Sequence, residues 1–224
     1  MNDVLSDLQR ALASVLAGGA RFPDEDRFQA ALAEALGPVE RELAASFEAP
    51  LLPPKQPPRA AIEALARAQP PKILPPEGKD PCARGAKLDL LWQRSGEAIP
   101  LELKYVTERK SDVYGYAVLK DIHRLERMRA AGSHPRLSAQ RFCVFVTTEP
   151  VYWTGGRPEP APFWLQEGRR IGPSYWVQYD QPSPNTLWYS YPPFFLANAY
   201  EFRWQDHGRA GRSLVVAVRP QSAS

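Results

Sequence analysis

Cysteine is scarce, with only Cys82 and Cys143 in a chain of 224 residues. That is too few for a disulfide framework and too few for a thiolate zinc site. Histidine offers no substitute, because His123, His134 and His207 share no ligand spacing and none adjoins a cysteine. No apolar run approaches the roughly 20 residues that a membrane-spanning helix needs, so no membrane partner is expected. The opening MNDVLSDLQRAL carries early acids and no basic start leading into an apolar segment. A signal peptide is therefore not expected, and a cytoplasmic protein is. Neither a GxSxG elbow nor a GxxxxGK phosphate loop occurs, which leaves serine-hydrolase and P-loop chemistry without their motifs.

What is present is the composition of a globular protein, 44% hydrophobic and 24% charged, long enough for one sizeable core. The net charge of +3 says little, but its distribution says more. Residues 1–48 hold four Lys/Arg against nine Asp/Glu, and residues 84–141 hold twelve against seven. The second segment suits a polyanionic ligand, although a solvated basic helix face would give the same counts.

Val4, Leu5, Leu8, Leu12, Val15 and Leu16 recur near helical spacing and predict a first helix over residues 2–17, ended by Gly18-Gly19. A second helix is predicted after Pro23 on Phe28, Leu32 and Leu36, ending at Gly37-Pro38, while Val39 to Phe47 reads as either helix or strand. The Pro-rich stretch at 49–81 reads as an insertion over the surface. Ser111 to Ala131 carries a wide apolar stripe at helical spacing, and Arg141 to Thr148 reads as a strand buried on both faces, with Cys143 a small core residue. The helix is long enough to lay that strand parallel to an earlier one. Between residues 150 and 205 lie every tryptophan except Trp92 and many tyrosines, spaced by Pro, Gly and Ser. Such aromatics stack on bases or, more commonly, pack an irregular lobe. The tail reads as a β-hairpin around His207 to Gly211 that extends the sheet.

The chemistry concentrates in KLDLLWQRSGEAIPLELKYV, residues 87–106. Two apolar arms flank a polar turn at Gln93 to Glu97. Alternation along a strand points Glu102 and Lys104 one way and Leu101 and Leu103 the other. If the arms pair, Asp89 lies beside Glu102 on the same face, so two carboxylates and an ammonium converge on an apolar sheet. Two carboxylates attract a hard divalent cation such as Mg²⁺, and the Leu103 carbonyl between the two charged side chains offers another oxygen. Lys104 is placed to hold or help deprotonate a water on that cation and to offset developing charge. The competing explanation is a surface strand with a cross-strand Asp–Lys pair.

Asp89, followed by Glu102-Leu103-Lys104, resembles the motif of the PD-(D/E)xK nuclease superfamily, without the proline that usually precedes the Asp. The resemblance spans roughly residues 22–148, because a helix, a strand meander, a second helix and a further strand follow one another in that family. It implies an α/β fold with a restriction-endonuclease-like mixed β-sheet flanked by helices, residues 1–148, interrupted by the Pro-rich insertion. Residues 149–224 would form an aromatic-rich β extension packed on the same domain. It implies a nuclease hydrolysing DNA with a Mg-activated water, Mg or Mn being held by Asp89, Glu102, the Leu103 carbonyl and an acid from the first core helix. Glu25 is the best match for that acid, ahead of Glu34 and Glu40, though the helix dipole alone explains acids at a helix start. The catalytic set would be Asp89, Glu102 and Lys104. Lys120, Asp121 and Arg124 from the later helix would lie near the site, and Lys120, Arg124 and Arg127 would meet nucleic acid. The cluster Arg124, Glu126, Arg127 and Arg129 reads as a solvated helix face able to touch a phosphate backbone. A homodimer would serve an enzyme that cuts both strands of a duplex. Two alternatives stay open: an inactive nucleic-acid-binding or structural protein on the same fold, and a protein-interaction module built from the aromatic and Pro-rich stretches.

Overall fold

Leu8, Leu12 and Leu16 recur every fourth residue, and their burial turns one face of helix α1 (Val4–Val15) inward. Helix α2 (Glu25–Leu36) starts where the Asp24 side chain accepts the Arg27 N–H at 2.8 Å, and it buries Phe28, Leu32 and Ala33. In the computed structural model residues 4–41, 88–107, 113–128, 137–154, 165–173, 175–177 and 194–220 are described. The Pro-rich stretch, Cys82, His134, Arg129 and the aromatics at 178–193 lie outside them.

The start of the ambiguous segment after α2 is strand β1 (Val39–Arg41), which pairs antiparallel with β2 (Leu90–Arg94); residues 42–47 lie outside the described ones. β2 turns into β3 (Glu97–Val106) through Ser95 and Gly96. Both take positive φ, 51° and 79°, the conformation whose twist matches a tight hairpin. The turn is thus shorter than the polar stretch suggested. Helix α3 (Val113–Arg127) crosses over and delivers β4 (Arg141–Thr147) parallel to β3, in register from Leu101 opposite Phe142 to Val106 opposite Thr147. Every residue of β4 is buried.

Val151–Thr154 forms a single turn, α4, and the short strands β5 (Arg170–Ile171), β6 (Trp176–Val177), β7 (Phe194–Phe195) and β8 (Tyr200–Glu201) pair as β5 with β8 and β6 with β7. The closing hairpin β9 (Trp204–Asp206) and β10 (Arg212–Val218) joins the main sheet, completing the order β1-β2-β3-β4-β10-β9. The result is a mixed sheet flanked by helices. Leu90, Trp92, Leu101, Leu103, Tyr105, Phe142, Val144 and Val146 face α1 and α2, and the alternate residues Leu91, Val106, Cys143, Phe145, Leu214 and Val216 face α3. Ile171, Val177, Phe194, Leu196, Tyr200 and Phe202 join that second cluster, so the extension and α3 share one core. No helix among the described residues is long and apolar enough to cross a membrane.

One expectation is corrected. The cluster around Arg124 and Arg127 is not a solvated helix face, because Glu126 is 0% and Arg127 6% exposed. α3 has the sheet on one side and the extension on another, so its polar residues are enclosed too. Glu126 accepts hydrogen bonds from the Ala197 and Asn198 N–H groups, the Asn198 side chain and the Tyr200 hydroxyl, at 2.7–3.1 Å. That carboxylate pins the loop before β8 to α3.

Candidate functional site

The pairing of β2 with β3 runs from Arg94–Glu97 to Leu90–Leu101 and stops there, although β3 continues to Val106. Beyond that point the β3 edge facing β2 has no strand partner among the described residues, and its backbone groups need others. Two carboxylates supply them. Asp89, one residue before β2, accepts the Leu103 N–H through Oδ2 at 2.7 Å, and Glu25, the first residue of α2, accepts the Tyr105 N–H through Oε2 at 3.0 Å. An edge that strand pairing would have neutralised is instead lined with acids.

Glu102 and Lys104 stand opposite Cys143 and Phe145 on the α3 face, so α3 decides what they meet. Lys104 Nζ donates to the Leu103 carbonyl at 2.8 Å and lies 3.2 Å from Asp121 Oδ2 and 3.6 Å from Glu25 Oε1. Arg124 reaches from α3 to place Nη2 at 3.3 Å from Glu102 Oε1 and donates from Nη1 to Asp121 Oδ1 at 3.1 Å. Lys120 Nζ is 3.9 Å from the same Asp121 oxygen. Four carboxylates (Glu25, Asp89, Glu102, Asp121) therefore meet three cations (Lys104, Lys120, Arg124). Glu102 and Asp121 are almost wholly enclosed, whereas the Glu25 side chain is one-third exposed at the open end.

The electrostatics follow from this crowding. Burial pushes the Glu102 carboxyl well above the usual carboxylate range; Arg124 opposes that shift, while the charges of Asp121 and Asp89 add to it. Burial likewise raises Glu25, against Lys104 and the Tyr105 N–H. Burial also disfavours the Lys104 ammonium, but Asp121, Glu25, Asp89 and Glu102 together outweigh it and hold its pKa above the ordinary lysine value. In this charge set Lys104 is an ammonium that can orient a ligand and offset negative charge; it is not a base. At Asp121 burial is in turn outweighed by Lys104, Lys120 and Arg124, which hold the carboxyl below its ordinary value.

The hairpin thus brings together Asp89, Glu102, Leu103 and Lys104, α2 brings Glu25, and α3 brings Lys120 and Arg124. Glu34 stays exposed on α2, lining a shallow groove with Phe22 and Arg27, and Glu40 sits in β1 opposite Leu91. Arg127 is enclosed near His123, where burial and, after it, the Arg127 charge oppose protonation of the imidazole. Asp121, expected only near the site, lies at its centre. The signal was its position four residues after Ala117 and four before Leu125, in line with the apolar stripe.

Carboxylates and a backbone carbonyl form a hard oxygen set of the kind that suits Mg²⁺, which uses one or two carboxylates and fills its other positions from water and substrate. Glu102 Oε1 is buried and takes no directed hydrogen bond, so it has a lone pair to offer, whereas Asp121 Oδ2 is held by Lys104 at 3.2 Å. In their present positions no three His, Cys, Asp or Glu side chains among the described residues are grouped closely enough to hold a metal ion. The residues fit the ion in chemistry, with Glu102 needing to exchange Arg124 for it. No family model, no curated protein and no solved structure matches this chain.

Proposed function

We propose that this chain is a metal-dependent phosphodiesterase acting on nucleic acid, with DNA the substrate that its resemblance to the PD-(D/E)xK nucleases implies. The observation that carries this reading is the convergence of Glu25, Asp89, Lys104 and the Leu103 carbonyl on the β3 edge beyond its pairing with β2, with Glu102 on the adjoining α3 face of the same strand. The order α2, β1, β2, β3, α3, β4, with β3 and β4 parallel, supports the same reading, because it is the succession that the resemblance calls for.

Asp89, Glu102 and the Leu103 carbonyl would hold Mg²⁺ or Mn²⁺, with Glu25 completing the set. When bound, such an ion acidifies water and withdraws charge from a phosphate. The chain's own parts do the rest. Lys104, fixed by Asp121, presents an ammonium to the attacked phosphate or to the water beside it. Lys120 and Arg124 supply further positive charge for the phosphate backbone. Glu102 and Asp121 form the enclosed wall of the site, and Glu25 stands at its open end.

A second reading, an inactive protein on the same fold, is favoured by one specific observation. Asp89 and Glu25 already cap β3 N–H groups, and Arg124 already faces Glu102, so each acid has a structural task without a metal. Incubating the purified protein with Mg²⁺ or Mn²⁺ and single- and double-stranded DNA and RNA separates the two. The enzyme reading expects metal-dependent cleavage that falls by about 100-fold or more in Lys104→Ala and in Glu102→Ala, since a single electrostatic group at a reacting centre is worth that much. Equal residual cleavage in wild type and variants, with all of them folded by circular dichroism, refutes it.

A further inference from the structure

Glu102 is the most enclosed acid of the β3 motif, and the cation facing it, Arg124, is the more solvent-facing of the pair, with 15% of its side chain exposed against 2%. The contact is an ion pair at 3.3 Å, yet Glu102 Oε1 takes no hydrogen bond, so charge is balanced without directed bonding. A buried carboxylate left without a counter-charge is strongly destabilising, and Arg124 supplies that charge here. Arg124 also has a second anchor, the 3.1 Å hydrogen bond from Nη1 to Asp121, about which its guanidinium can pivot without leaving the site. Lys104 is held differently, by the Leu103 carbonyl, Asp121 and Glu25 together. Of the two cations Arg124 is the one that faces Glu102 directly.

Resting on the metal-dependent reading above, we infer that Arg124, the internal counter-ion of Glu102, yields that carboxylate to a divalent cation and turns to a phosphate of the nucleic acid. The local charges support the exchange. Four carboxylates with Lys104, Lys120 and one divalent cation are neutral, which leaves the guanidinium for the anionic phosphate. Metal binding and phosphate binding are thereby coupled through one side chain. Arg124 is in this sense a positioning residue for the metal, and a ligand for the substrate once the metal is in place.

Melting temperatures with and without Mn²⁺ test this for wild type, Arg124→Gln, and Arg124→Gln combined with Glu102→Gln. Without metal, Arg124→Gln is expected to melt at least about 3 °C below wild type, the scale of a modest loss in a chain this long. With Mn²⁺ its rise in melting temperature should exceed that of wild type, because the metal no longer competes with the guanidinium. The double variant should recover the loss without metal and lose the rise with it. If wild type rises with Mn²⁺ and Arg124→Gln rises no more than it does, the exchange is wrong and the metal site survives. If Mn²⁺ raises neither, both readings fall. Should Arg124→Gln not fold, a folded double variant supports the pairing and an unfolded one overturns it.

Discussion

His123 provides a test of how firmly the extension is docked on the helix that carries the site charges. Its imidazole stacks on Phe194, with centroids 4.4 Å apart, and its Nδ1 lies 3.1 Å from the Phe195 carbonyl. Burial and, after it, the nearby Arg127 charge depress its pKa from 6.5 to about 3. The native ring is thus neutral, while the unfolded chain takes up a proton as pH falls through 6.5. The unfolded state then binds more protons than the native state, so stability falls as pH drops from about 6.5 towards 3. Between pH 7 and pH 5 the loss from this one group is about 2 kcal/mol. Urea unfolding of wild type and His123→Phe at both pH values isolates it, since phenylalanine keeps the stacking and cannot titrate. His207, whose pKa is also lowered by partial burial, contributes equally to both proteins and cancels. Wild type should lose about 2 kcal/mol more than the variant over this interval. Equal losses would mean that the ring is solvated and the extension is not seated on α3 as described.

Glu126→Ala removes the acceptor of the Ala197 and Asn198 N–H groups and of the Tyr200 hydroxyl, and should cost on the order of 3 kcal/mol or more in urea unfolding. A cost within about 0.5 kcal/mol, the scale of an ordinary surface change, would show that the loop before β8 does not depend on it. Gly211→Ala should destabilise by about 2 kcal/mol or more: φ there is +96°, and an added Cβ would lie 2.2 Å from the Thr147 carbonyl oxygen. A folded Gly211→Ala protein with unchanged melting would contradict the close approach of the β10 entry to the end of β4.

Legibility tracked physical range. Hydrophobic period is local, so α1, α2, α3 and β4 could be read within a few residues. Alternation along β3 set Glu102 and Lys104 apart from Leu101 and Leu103, and the structure agrees on the two faces. The role of the acids at the β3 edge was not readable in that way. It depends on where β2 begins, at Leu90, and on α2 entering near the end of β3, both set by packing between distant segments. Burial of the charges on α3 was misjudged for a related reason. A row containing Arg124, Glu126 and Arg127 looks solvated until a second layer covers it, and that layer comes from residues some 70 positions later, as in the bonds from Ala197 and Asn198 to Glu126.

By itself, then, the sequence determined the α/β succession and the three charges of the β3 hairpin, because strand alternation and helical periodicity are properties of neighbouring residues. Only the tertiary structure decided which counter-charges those residues meet. Asp121 faces Lys104, Arg124 faces Glu102, and Glu25 faces both Lys104 and the Tyr105 N–H. Coulomb interactions in an enclosed site depend on separation in space, and α2 and α3 set those separations from opposite sides of the sheet.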